Sequence, residues 1–191
     1  MVVRFDLFER LNTGGVELTD QEIRSCIYRG PFNDFLEKMA KDRNFKAVVR
    51  LPHGKEKDGT REELVLRFFA FFHKYEQLDH SVVNFLNDYM KVASYSFDQI
   101  KGEKLFTSTF AALSKTLPNG ISRGRTITPV NLYEAVSVGC ALALRKNGKI
   151  KSVGNNAWIK SEELKAMTTG ATNNRKQVKG RIEYCATRFG W

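Results

Sequence analysis

Hydrophobic residues along this chain recur mostly at intervals of three and four, the spacing that gathers side chains on one face of an α-helix. Leu64, Phe68, Phe71, Phe72 and Tyr75 share such a face, and Val65 and Phe69 widen it. A helix apolar over most of its girth belongs in the middle of a core. Val178, Ile182, Cys185 and Phe189 form a narrower stripe near the C-terminus, with most cations of that segment lying off it.

Start and stop signals divide the rest. Thr19-Asp20-Gln21-Glu22 reads as a capping box, in which the Thr hydroxyl takes an amide of the first turn and the Glu reaches back. Its helix is expected to run to about Arg29, and Gly30-Pro31 to end it and open another, Pro31 to about Asp42. Thr60-Arg61-Glu62-Glu63 and Ser96 with Gln99 read as two more capping boxes, the second opening a helix that ends before Pro118. Ser81 is placed to cap a helix through about Ala93, and Thr128-Pro129 to open one through about Lys146, with Gly148 as its stop. A further helix is expected over Ala157–Thr168, ended by Gly170, and a last one capped by Asn173. Val3–Leu7 and Phe45–Leu51 are weak strand candidates, too little for a sheet. The stretch PHGKEKDG (52–59) is polar and rich in turn formers. The expected fold is mainly α: a single globular domain of about eight helices with little or no sheet.

Composition narrows the class. With 191 residues, 42% of them hydrophobic and 12% aromatic, the chain has the material for one well-filled core and is too apolar for disorder. The longest apolar stretches, such as Phe68–Phe72, fall far short of the roughly 20 residues a membrane helix needs, so no membrane partner is expected. Asp6 interrupts the apolar start, which therefore does not read as a signal peptide. The three cysteines, Cys26, Cys140 and Cys185, are too few and too scattered for a disulfide scaffold or a four-cysteine zinc site, and they fit a reducing cytoplasm.

Charge adds a partner. The net charge is +10, and it is uneven: residues 141–191 hold eleven basic and three acidic side chains, whereas the first 140 hold twenty and eighteen. A basic C-terminal quarter is the electrostatic footprint of a polyanion binder; the same charges also suit a solvated face that only confers solubility.

Candidate chemistry is sparse. His53, His73 and His80 do not make a metal set, and Asp79-His80 has no second histidine downstream to complete an HNH nuclease site. The cysteines sit on apolar helix faces, where a free thiol acts as a small core residue. Neither Gly14-Gly15 nor Gly120–Gly124 leads into the Gly-Lys-Ser/Thr of a phosphate-binding loop. Two stretches stand out. In Phe8–Arg24, the donors of Arg10 and Asn12 and the open backbone of Gly14 and Gly15 suit a phosphate. The same residues also suit a plain helix stop and restart, with Arg10 paired to Asp20 or Glu22. In Thr168–Ile182, a polar loop enters a helix whose start carries Arg175, Lys176, Lys179 and Arg181. Helix amides plus cations suit phosphate, and cations there oppose the helix dipole unless an anion compensates. A solvent-facing terminal helix fits equally well.

FERLNTGGVELTDQEIR (8–24) resembles the block characteristic of the GmrSD-type restriction endonuclease N-terminal domain family, which joins a ParB/sulfiredoxin-like core to a helical half. The resemblance continues in EELVLRFFAF (62–71), LYEAV (132–136) and TTGATNNRKQVKGRIE (168–183), and so covers nearly the whole chain, with the first block the most specific. It implies a bacterial protein of DNA restriction or phage defence, from a family associated with nucleotide hydrolysis and DNA cleavage that uses a nucleotide and a divalent metal. The family's Asp-Gly-Gln-Gln-Arg motif, which lies upstream of the first block, does not occur here, nor does a C-terminal HNH module. The expectation is therefore the helical half, with 1–18 as the edge of an upstream ParB-like core and 19–191 as a helical bundle. No cofactor and no catalysis are expected from this chain alone. Arg10 and Asn12 would flank the family's cleft. Expected partners are DNA and an upstream ParB-like catalytic half or second subunit. Two other readings stay open: a split or self-associating nuclease or NTPase, and a protein-interaction module without nucleic acid.

Overall fold

The computed structural model describes residues 18–55, 58–79, 81–124, 127–151 and 156–191. Among these, nine α-helices form one helical domain and no strand occurs: α1 (Asp20–Ile27), α2 (Pro31–Ala40), α3 (Arg43–Val48), α4 (Thr60–Lys74), α5 (Val82–Ser96), α6 (Gln99–Thr116), α7 (Val130–Asn147), α8 (Glu162–Thr168) and α9 (Arg175–Arg188). Short 3-10 turns cover Tyr75–Gln77 and Asn156–Lys160.

Several expected boundaries hold for the expected reason. Thr19 and Glu22 form the reciprocal capping box of α1, and Pro31 opens α2. Others differ. Phe45–Leu51 is not a strand, because the Asp42 carboxylate accepts from the Phe45 amide at 2.8 Å and turns 43–48 into a helix. Thr60 is no cap: Gly59, at φ +76°, precedes α4, and Glu63 is drawn away into ion pairs. Ser96 ends α5 rather than opening α6, whose cap is Asp98 accepting from the Lys101 amide at 3.0 Å. The last helix is capped by Asn174, one residue later than expected. The expected helix over 157–168 is a 3-10 turn followed by α8, restarted by the Ser161 hydroxyl. The strand candidate at Val3–Leu7 lies outside the described residues.

The core is built on aromatic rings from α3, α4, α6 and α7. Phe68 meets Phe106 edge-on at 5.3 Å, Phe106 meets Phe110 at 4.4 Å, and Phe45 packs against Phe110 at 5.0 Å. Edge-to-face contacts of this kind add to the burial of the rings themselves. Tyr133 is fully buried, and its hydroxyl is satisfied by donating to the Leu64 carbonyl at 2.9 Å.

Helices α7 and α9 make the closest pair. Glu134 faces Arg181, and five residues on Gly139 faces Cys185 and Ala186, so the two run in the same direction. A Cβ on Gly139 would stand 2.7 Å from the Ala186 amide nitrogen, closer than atoms tolerate, so only glycine lets the backbones approach this far. Arg67 facing Glu134 and Phe72 facing Arg145 set α4 in the same direction. The starts of α7 and α9 therefore lie together, and the first turns of α9 meet Tyr75–Gln77, just past the end of α4. The Thr19 hydroxyl, donating to the Asp58 carbonyl at 2.8 Å, fixes the start of α1 against the segment that leads into α4.

Candidate functional site

The start of α9 carries the last of the sequence blocks singled out above. Loop 169–174 leads into α9, and Asn174 closes the turn by accepting from the Gln177 amide at 3.0 Å. Arg175, Lys176 and Lys179 are exposed on the first turns of α9. The Arg175 Nε donates to the Glu76 carbonyl at 2.6 Å, and Lys179 pairs with the Glu76 carboxylate at 2.6 Å and stands 3.7 Å from Glu183. Lys176 makes no ion pair among the described residues. The hydrogen bond and charge of Lys179 hold the Glu76 carboxyl below its ordinary range, and Glu76 in turn raises Lys179. Both groups are open to water, where such a pair contributes little and is readily exchanged. A second anion can replace Glu76 without a desolvation barrier.

Arg181 is not part of this surface. It is fully buried, and its guanidinium faces inward. Nη1 donates to the carbonyls of Thr172 at 2.9 Å and Met167 at 3.4 Å, while Nη2 pairs with Glu134 and reaches Asn173 at 3.4 Å. The expected nucleic-acid contact by Arg181 is therefore corrected: it holds the loop from beneath. Asn131 adds a second support by donating to the Thr172 hydroxyl at 2.9 Å.

The Glu134–Arg181 pair is the last rung of a ladder of alternating charges. Asp20 stands 3.8 Å from Arg24, Arg24 3.0 Å from Glu63, Glu63 2.8 Å from Arg67, and Arg67 2.8 Å from Glu134. The side chains of Arg24, Glu134 and Arg181 are 0% exposed. Burial favours the neutral carboxyl at Glu63, but Arg67 and Arg24 outweigh it and hold the group below its ordinary range. Burial likewise opposes the charge on Arg67, and Glu134 and Glu63 overcome it. At Arg24 burial wins and lowers the guanidinium, although Glu63 and Asn87 bind it. A charge removed from water is tolerated only where partners surround it. Glu63, Arg67 and Glu134 each face two opposite charges, whereas Nη2 of Arg24 and Nε of Arg181 are buried without a hydrogen-bond partner among the described residues.

Each of the four blocks supplies a rung: Asp20 and Arg24 from the first, Glu63 and Arg67 from the second, Glu134 from the third, Arg181 from the fourth. Sequence reasoning missed Arg24, Glu63, Arg67 and Glu134. Two signals were present: the i, i+4 spacing of Glu63 and Arg67, and the lone acid Glu134 in the apolar run of α7.

Arg10, Asn12, Gly14 and Gly15 lie outside the described residues, as does His80. Cys140 and Cys185 are buried and free, and burial pushes both thiols up, away from reactivity. Among the described residues no group of three or more His, Cys, Asp or Glu is placed to hold a metal ion, and no helix is long and apolar enough to cross a membrane. No protein-family model, no curated protein and no solved structure matches the chain.

Proposed function

We propose that this chain is a DNA-holding helical module of a GmrSD-type restriction or phage-defence protein, acting beside a ParB-like catalytic half. Loop 169–174 and the first turns of α9 form its contact with the DNA backbone. What carries the reading is the exposed trio Arg175, Lys176 and Lys179 on a helix start whose approach loop is pinned from below by Arg181 and Asn131. Phosphate contacts need donors held in register, and amides at a helix start add to the side-chain charge. Glu76 serves as the resident anion that a phosphate displaces.

Titration of a short fluorescent duplex at several salt concentrations tests this reading. Log affinity should fall linearly with log salt, by about 0.9 for each phosphate contacted. Arg175→Ala/Lys176→Ala should weaken binding alike on unrelated sequences and flatten the slope by about two contacts. Glu76→Gln should act oppositely, tightening binding by freeing Lys179. Undetectable binding at the lowest salt, or indifference to all three changes, would leave the cations as solubilising charge and favour a protein-interaction module.

A further inference from the structure

An apolar concavity lies between α4, α5 and α6, closed at one side by Arg145 of α7. It has a volume of about 590 Å³. Phe72, Phe97 and Tyr89 line it, with the fully buried Phe69 beneath them. The position of Phe97 is set by Gly102: a Cβ there would come within 2.5 Å of the ring, so glycine allows Phe97 to fold across α6 onto Phe32, Phe35 and Phe69 at 4.7, 5.0 and 5.0 Å. Val92, 52% exposed, leaves apolar surface in water at the mouth.

The mouth is polar and mainly positive. Lys74, Lys101 and Arg145 surround it, against the single carboxylate of Asp98, which is already engaged by Lys101 at 3.0 Å and by its own helix start. The Arg145 guanidinium lies 4.7 Å over the Phe72 ring, which fixes a cation at the border of the apolar floor. His73 lines the same space, its Nδ1 2.7 Å from the Tyr89 hydroxyl. Burial, then Arg145 and Lys74, holds His73 below its ordinary proton affinity, as a positive local potential requires.

We propose that this groove binds a small aromatic anion: a flat ring system seated between Phe72, Phe97 and Tyr89, with its carboxylate, sulfonate or phosphate at Arg145. Ring-lined walls favour a planar apolar body through offset and edge contacts. An apolar cavity with few convergent polar groups at one side is the usual form of a ligand site, since the polar groups orient what the apolar walls hold. The site is independent of the DNA reading, because no residue of loop 169–174 or of α9 lines it.

The probe is anilinonaphthalene sulfonate, an aromatic anion whose fluorescence rises on leaving water, paired with the uncharged N-phenylnaphthylamine. The native chain should bind the sulfonate saturably at one site. Arg145→Met keeps the apolar stem over Phe72 and removes the charge; it should weaken the sulfonate about five- to tenfold and leave the neutral probe within about twofold. Val92→Trp fills the mouth from an exposed position and should weaken both probes by about tenfold or more. Near-UV circular dichroism and cooperative urea melts on each variant show that the fold is intact. Arg175→Ala/Lys176→Ala should change nothing, which separates failure here from failure of the DNA reading. Absent or unsaturable binding, or binding that ignores both Arg145→Met and Val92→Trp, overturns the proposal. A dimer in sedimentation velocity that Val92→Trp dissociates overturns it too, by showing that a second copy covers the groove.

Discussion

Arg181 illustrates how a single residue's surroundings decide its role. Its charge and its place beside Arg175 and Lys179 suggest a DNA contact, yet it is three residues after Val178 and four before Cys185, on the buried stripe itself. The periodicity that revealed the stripe therefore also marked Arg181 as an inward residue, and only its charge argued otherwise. The ladder predicts an order of damage. Arg181→Met leaves Glu134 paired with Arg67, whereas Glu134→Leu leaves Arg67 and Arg181 buried beside each other with no anion between them. Removing one partner of a buried pair typically costs about 3–5 kcal/mol, so Glu134→Leu should reach or exceed that range and Arg181→Met should fall below it. Urea melts read both; the reverse order would contradict the ladder.

Glu63 makes the same point through pH. Its folded-state carboxyl titrates below its unfolded value because Arg67 and Arg24 outweigh burial. The stabilisation is then complete above the unfolded carboxylate value, about pH 4.3, and is lost as pH falls through the lower folded value. Stability should accordingly drop below about pH 4, and Glu63→Gln should be weaker at neutral pH and show a shallower acid decline. Parallel pH curves for the two proteins would exclude a Glu63 contribution.

At the scale of elements, the legible features were those a local pattern determines. The aromatic face of α4, the capping box of α1 and the stripe of α9 each follow from residues a few positions apart, and each is found in the structure. Two of the misread starts share a cause: a second capping residue lay close by and local spacing does not rank the two. Asp98 outcompetes Ser96, and Asn174 outcompetes Asn173, whose side chain turns to Arg181 instead. The pairing of α7 with α9 was not legible, because it depends on contacts between residues some 47 positions apart in sequence. Gly139 is its most sensitive point. In an ordinary helix Gly→Ala gains about 1 kcal/mol. Here the added methyl meets the Ala186 amide, and overpacking of this kind costs about 1–3 kcal/mol. Gly139→Ala should lower the melting midpoint, and a raised midpoint would mean that the two helices sit further apart than described.

For the whole molecule, composition and net charge suggested a polyanion partner but did not say where it would sit. The excess in residues 141–191 is spread in space: Arg145 lines the aromatic groove, Lys165 pairs with Glu162, and Arg188 stacks on Tyr184. Arg175, Lys176 and Lys179 are gathered on the first turns of α9. One ladder of charges, buried at Arg24, Glu134 and Arg181, joins all four sequence blocks, gives loop 169–174 a base and leaves its cations outside. The most direct measurement is amide hydrogen exchange across the chain with and without a short duplex at low salt. The account predicts protection concentrated over residues 169–179 and little change along α5 and α6. Unchanged exchange over 169–179 while the duplex is bound, with protection on another face, would contradict it.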